Sequence, residues 1–153
     1  MKNDILLKQY CVCYAKDRSG NKRAFVNYYE KNKNVICRSK FNLIKFIVSN
    51  ITLLFNVTVY GSAVSSFFSG IEPNDIDLKY SCEKTLKKMI NFLRSIFELK
   101  YMSISMYDIG SKYTFIINGI ELDFDFVILK QSDIPLFIDF EESCVFIINN
   151  KFF

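Results

Sequence analysis

Histidine is absent from the 153-residue chain, and that absence removes Ser-His-Asp and Cys-His catalysis, His-ligated metals and imidazole acid–base chemistry together. Carboxylates become the leading candidates for any chemistry. Glycine and proline are scarce, at five and two residues, which argues against fibrous or low-complexity character. Cysteine numbers five, an odd count with no CxxC pair. Neither a disulfide framework nor a zinc site built on Cys11 and Cys13 has its partners, so structural thiols of a reducing compartment are expected. The N-terminal stretch MKNDILLKQYCVC has no apolar run of the secretory type. The most apolar segment, residues 41–60, is interrupted by Lys45, Asn50 and Asn56, well short of the ~18 clean apolar residues of a membrane span. The expectation is a cytoplasmic protein without a membrane partner, whose sequons at Asn50 and Asn56 stay unglycosylated.

What is present is globular composition: 50% hydrophobic and 24% charged residues, with sixteen Phe and nine Tyr to fill a core. This size and composition suit one domain. The net charge of +4 and a pI near 8.7 favour phosphate-bearing partners, but fall short of the dense basic footprint of a dedicated nucleic-acid binder.

Along the chain, residues 9–38 read as a β-meander: QYCVCYA, AFVNYY and VICR as strands, DRSGNK and EKNKN as turns. From residue 42 to 55, Leu43, Ile44, Ile47, Val48, Ile51, Leu54 and Phe55 recur at helical spacing and predict an amphipathic helix. A short strand over residues 57–60 then delivers Gly61-Ser62, followed by a brief helix stopped at Gly70. Ser81 stands at the predicted cap of a second amphipathic helix, with Leu86, Met89, Ile90, Leu93, Ile96 and Phe97 inward and a solvated basic face outward. Strands are predicted over residues 100–107, 112–117 and 120–129, the last two joined by Asn118-Gly119, a strong hairpin signal. The organisation is one domain over residues 1–153: a β-rich extension (1–40), a core (41–129) and a C-terminal strand segment (130–153).

Side chains alternate along a strand, so Asp75 and Asp77 share one face while Ile76 and Leu78 take the other. Two neighbouring carboxylates repel, and divalent cations relieve that repulsion, which is how magnesium sites of phosphoryl-transfer enzymes are built. NGIELDFDFVIL repeats the device, with Glu121, Asp123 and Asp125 on one face. The plain alternative is a solvent-facing edge strand whose acids only solubilise. Gly61-Ser62, at a strand-to-helix junction, adds backbone N–H groups and a hydroxyl suited to phosphate oxygens.

The order apolar-Gly-Ser, then acid-apolar-acid-apolar, then a later apolar-acid-apolar strand resembles the signature of the DNA polymerase-β-like nucleotidyltransferase superfamily. Within it, GSAVSSFFSGIEPNDID is most similar to the head domain of tRNA CCA-adding and bacterial poly(A) polymerase enzymes. Gly61 and Ser62 match that group's glycine pair, Val64 its valine, Phe67 and Phe68 its apolar pair, Gly70 its later glycine, and Asp75 and Asp77 its metal ligands. Ser65 and Ser66 stand where the group has Arg-Asp, and Asp139-Phe140 match the Asp-Phe pair of a later segment. The resemblance implies an α/β (α+β) fold, a small mixed sheet with packed helices. It also implies a two-magnesium nucleotidyl transfer from a nucleoside triphosphate to a hydroxyl of RNA, protein or a small molecule. Asp75 and Asp77 would bridge the two ions, Asp123 would complete the acceptor-side ion with Asp125 as the alternate, and Gly61 and Ser62 would hold phosphates. The rival reading is a catalytically silent module of the same fold that binds without turnover.

Overall fold

The computed structural model describes residues 4–104, 110–128 and 145–153. In chain order these form α1 (Ile5–Lys8), α2 (Arg18–Ile36), α3 (Lys40–Leu54), β1 (Thr58–Tyr60), α4 (Ser62–Ser69), β2 (Asp75–Tyr80) and α5 (Glu83–Ile96). The strands β3 (Glu98–Ile104), β4 (Gly110–Ile117), β5 (Ile120–Ile128), β6 (Phe146–Ile148) and β7 (Lys151–Phe152) follow. The seven strands make one mixed sheet in the order β3-β4-β5-β2-β1-β6-β7. Among the described residues, only the β2–β5 pair is parallel. The chain is thus mixed α/β, as its patterning predicts.

Alternation along the strands sorts the sheet into two faces. Val59, Ile76, Leu78, Leu122, Phe124 and Ile147 are fully buried on one of them, beside Phe115 and Phe126. Helices α3 and α5 pack against β1 and β2. Phe25 of α2 stacks on Phe46 of α3 at 4.9 Å, and Tyr29 meets Phe97 edge-on at 5.1 Å, joining the helical layer to the end of α5. The inward faces predicted for α3 and α5 hold: Leu43, Ile44, Ile47, Ile51 and Leu54 are buried, as are Leu86, Met89, Ile90 and Leu93. Asn118 and Gly119 adopt positive φ at the β4–β5 hairpin, as their dipeptide predicts, and Asn149 and Asn150 do the same between β6 and β7.

The predicted N-terminal β-meander is corrected by the structure. Residues 18–36 are helical, and the segment before them is extended without strand pairing. Asp17 decides the outcome locally. Its carboxylate accepts the Gly20 N–H at 2.6 Å, so DRSG is a helix cap rather than a hairpin turn. Phe25, Tyr29 and Ile36, together with Asn21, are then buried, and EKNKN is a mostly exposed stretch within the same helical segment, kinked at Asn32. The extended segment is held by side-chain amides instead of a neighbouring strand. Val12 N–H donates to Asn50 Oδ1 at 2.8 Å, the Asn50 amide donates to the Tyr10 carbonyl, and Ala15 N–H donates to Asn21 Oδ1 at 2.8 Å. Asn50 is fully buried in this role, which denies its sequon to any glycosyl group in the folded chain. Smaller corrections concern ends: α5 begins after Cys82 rather than Ser81, and β3 begins at Glu98. No helix among the described residues is long and apolar enough to cross a membrane.

Candidate functional site

The sheet face opposite the helices carries the acids, and strand register decides which of them meet. Asp75 pairs with Asp123 and Asp77 with Asp125 across the parallel β2–β5 ladder. Extending the second pair outward, Lys112 of β4 lies opposite Asp125, and Ser103 of β3 lies opposite Lys112. On the other side, Tyr60 of β1 lies opposite Asp77, and Phe146 of β6 lies opposite Tyr60. Residues in register share a face, so Ser103, Lys112, Asp125, Asp77, Tyr60 and Phe146 form one row across the sheet. All four aspartates are half-buried.

Asp75, Asp77 and Asp125 converge, each offering a carboxylate oxygen within 4.8 Å of the others. Asp123 is outside this group, whereas Asp125, named as its alternate, is within it. The cause lies in β4: Thr114 Oγ1 donates to Asp123 Oδ1 at 2.6 Å and engages that carboxylate with its neighbouring strand. Glu121, the third acid of the β5 face, is exposed and ion-paired with Lys100.

The converging acids disturb one another. Burial and the Asp75 charge push Asp77 up to about 6, against the opposing pull of Lys112 and Lys79. Burial, a hydrogen bond with Asp75 and the Asp75 charge push Asp125 up to about 7, with Lys112 again opposing. Tyr60 is shifted upward by burial and by the charges of Asp77, Asp125 and Asp75, which places its ring beside the same carboxylates. Lys79, next along the face from Asp77, is buried with its ammonium 4.2 Å from the Tyr60 ring centroid and 5.3 Å from that of Phe146. A site of this kind, with hard oxygen donors and excess negative charge, fits a magnesium-type cation.

Gly61 brings the start of α4 against these acids. Its φ of 77° and ψ of −150° belong to glycine, and a Cβ there would stand 2.8 Å from Asp77 Oδ2. The Gly61 carbonyl accepts the Val64 and Ser65 N–H groups at 3.1 and 3.2 Å. The first N–H groups of α4 have no intrahelical acceptor, by helix geometry, and Ser62 is exposed among them. Ser66, at the position of the absent Asp, is buried and donates to the Ala63 carbonyl at 2.7 Å. Asp139 and Phe140 lie outside the described residues.

The patterning missed Tyr60, Lys112 and Thr114 because each reaches the acids only through strand pairing; it also passed over Lys79, which alternation along β2 already sets next to Asp77. A cavity of about 480 Å³ also went unread; Tyr80, Glu83, Leu86, Lys87, Ile90 and Tyr113 are among its lining residues. It gathers no converging acids, and the acid face remains the place where chemistry concentrates. A smaller cavity, about 280 Å³, abuts Asp125 and Lys112. No protein-family model matches the chain, and no curated protein matches it significantly in sequence.

Proposed function

We propose that this protein is a metal-dependent nucleotidyltransferase, moving a nucleoside monophosphate from a nucleoside triphosphate to a hydroxyl acceptor. The observation that carries the reading is the convergence of Asp75, Asp77 and Asp125 beside Gly61 at the start of α4. Asp75 and Asp77 would hold the cations that accompany the triphosphate, and Asp125 would serve the acceptor side. Bound magnesium would neutralise the triphosphate and lower the pKa of the acceptor hydroxyl. The α4 N-terminus and the Ser62 hydroxyl would receive phosphate oxygens, for which the missing Cβ of Gly61 leaves the approach open. Such a transfer asks the protein for positioning and charge neutralisation rather than a proton shuttle, in keeping with a chain that has no histidine. The acceptor is a hydroxyl of RNA, protein or a small molecule. The cytoplasm, which supplies nucleotide and magnesium, suits the free thiols Cys11, Cys13, Cys37 and Cys82.

The test is label transfer. Wild-type protein is incubated with each α-labelled nucleoside triphosphate, magnesium, and a mixture of RNA, DNA and cell-lysate protein. The expected result is covalent label on one acceptor class with release of pyrophosphate, and a loss of at least about 100-fold in Asp75→Asn and Asp125→Asn. Nucleotide binding without transfer to any acceptor, unchanged in Asp75→Asn, would replace the enzyme with the silent binding module.

A further inference from the structure

Lys112 stands in the same row as the acids, yet the nucleotidyltransferase signature has no part for it. Its strand pairing with β5 sets it opposite Asp125, and its ammonium approaches Asp125 Oδ1 to 3.9 Å. The lysine side chain is 45% exposed and the aspartate 24%, so the pair sits at the rim of the acid cluster. Its charge also reaches Asp77, across the β5–β2 ladder. Beside the pair lies the cavity of about 280 Å³, bordered by Ser103, Lys112, Asp125 and Val127. That space leaves room beside the pair next to the half-exposed lysine.

We propose that Lys112 is a built-in counter-cation for Asp125, which competes with a divalent ion for that carboxylate and must swing into the adjoining cavity before Asp125 can ligate. The inference rests on the acid cluster being a metal site. Three carboxylates within 4.8 Å of one another repel when ionised, and Lys112 supplies one unit of opposing charge from a neighbouring strand. A divalent ion bound at Asp125 would meet the same ammonium as a repelling neighbour at short range. Lys112 is therefore a positioning residue that weakens metal binding to the nucleotide-free protein. A nucleotide, arriving with its own negative charge, would offset that penalty, so metal and nucleotide would load together rather than metal alone.

The consequence runs against intuition for a site residue: removing it should tighten metal binding. The experiment is calorimetric titration of the nucleotide-free protein with Mg2+ and with Mn2+ at pH 8.5, where the acids are ionised, for wild type, Lys112→Met and Lys112→Arg. Lys112→Met should bind roughly 5- to 10-fold more tightly than wild type, and Lys112→Arg should keep wild-type affinity. In an Asp125→Asn background the Lys112→Met gain should shrink to less than about 2-fold, because the contested carboxylate is gone. Wild-type binding with Lys112→Met equal or weaker overturns the role of Lys112 and leaves the metal site standing. Absence of binding in wild type and in Lys112→Met alike overturns the metal site, and this inference with it.

Discussion

The two faces of β2 and β5 are made from the same residues in alternation, and they differ in what they need from their surroundings. On the helix side Ile76, Leu78, Leu122 and Phe124 are completely buried, and every neighbour reinforces them. On the other side Asp75, Asp77 and Asp125 crowd one another, so that Asp77 and Asp125 hold protons to about 6 and about 7. One face supplies folding energy that is insensitive to pH and metal. The other is held in an unfavourable arrangement by the first, and its cost is removed only by protons or cations. A rigid apolar layer is what keeps like charges close together.

Truncating the apolar face should have the largest effect. Phe124, fully buried with its ring 5.6 Å from Phe115, should lose about 3–5 kcal/mol of stability on Phe124→Ala, measured by urea unfolding. Where the variant still folds, its Mg2+ affinity should change little, because its side chain points away from the acids. An equal loss on both measures would show that the two faces are not separable.

Next in size is the pH response of the acid face. Asp77 and Asp125 bind protons more tightly in the folded chain than in the unfolded one, so the stability they contribute is fully present below about pH 4 and is lost as pH rises towards 7. After discounting for partial exposure, the decline should be about 2 kcal/mol, or several degrees in Tm. Without histidine, carboxylates are the only side chains with ordinary pKa values in that window, which keeps the measurement clean. Calorimetric scans should show the slope flattened in Asp77→Asn/Asp125→Asn, and Mg2+ should restore wild-type stability above pH 7. A slope that survives the double substitution would place the burden elsewhere.

The smallest effect expected is that of Gly61→Ala, about 1–2 kcal/mol from the positive φ and the 2.8 Å approach to Asp77. Its signature is the accompanying loss of Mg2+ affinity as the new methyl displaces the Asp77 carboxylate. Thermal scans with and without Mg2+ separate the two components. A Gly61→Ala protein with intact Mg2+ stabilisation would show that the carboxylate shifts without consequence.

Legibility in the sequence varied by element for identifiable reasons. β2, α3, α5 and the Asn118-Gly119 hairpin were readable because a strand, an amphipathic helix and a tight turn each leave a local pattern. The helix α2 was misread because its aromatic residues have high strand preference, and because Asp17 and Gly20 look like a turn until the cap hydrogen bond is seen. The cavity near Tyr80 and Tyr113 left no pattern at all, since it is a space left between α5 and the strands that flank it, and only their packing opens it.

Alternation alone put Asp75 with Asp77 on one face of their strand, and Asp123 with Asp125 on one face of theirs, because side-chain direction along an extended strand is a property of the segment itself. The positive φ of Gly61 and of the hairpin glycine was likewise written into the residue type. Bringing Asp125 beside Asp77, and Lys112 and Tyr60 to the same row, required the register of β2 on β5, of β4 on β5 and of β1 on β2. Register belongs to hydrogen-bonded pairs of strands and is set by how the whole apolar face packs, and it is what brings the Thr114 hydroxyl to Asp123. No local pattern carries that information, because the residues it joins meet only once the sheet has closed.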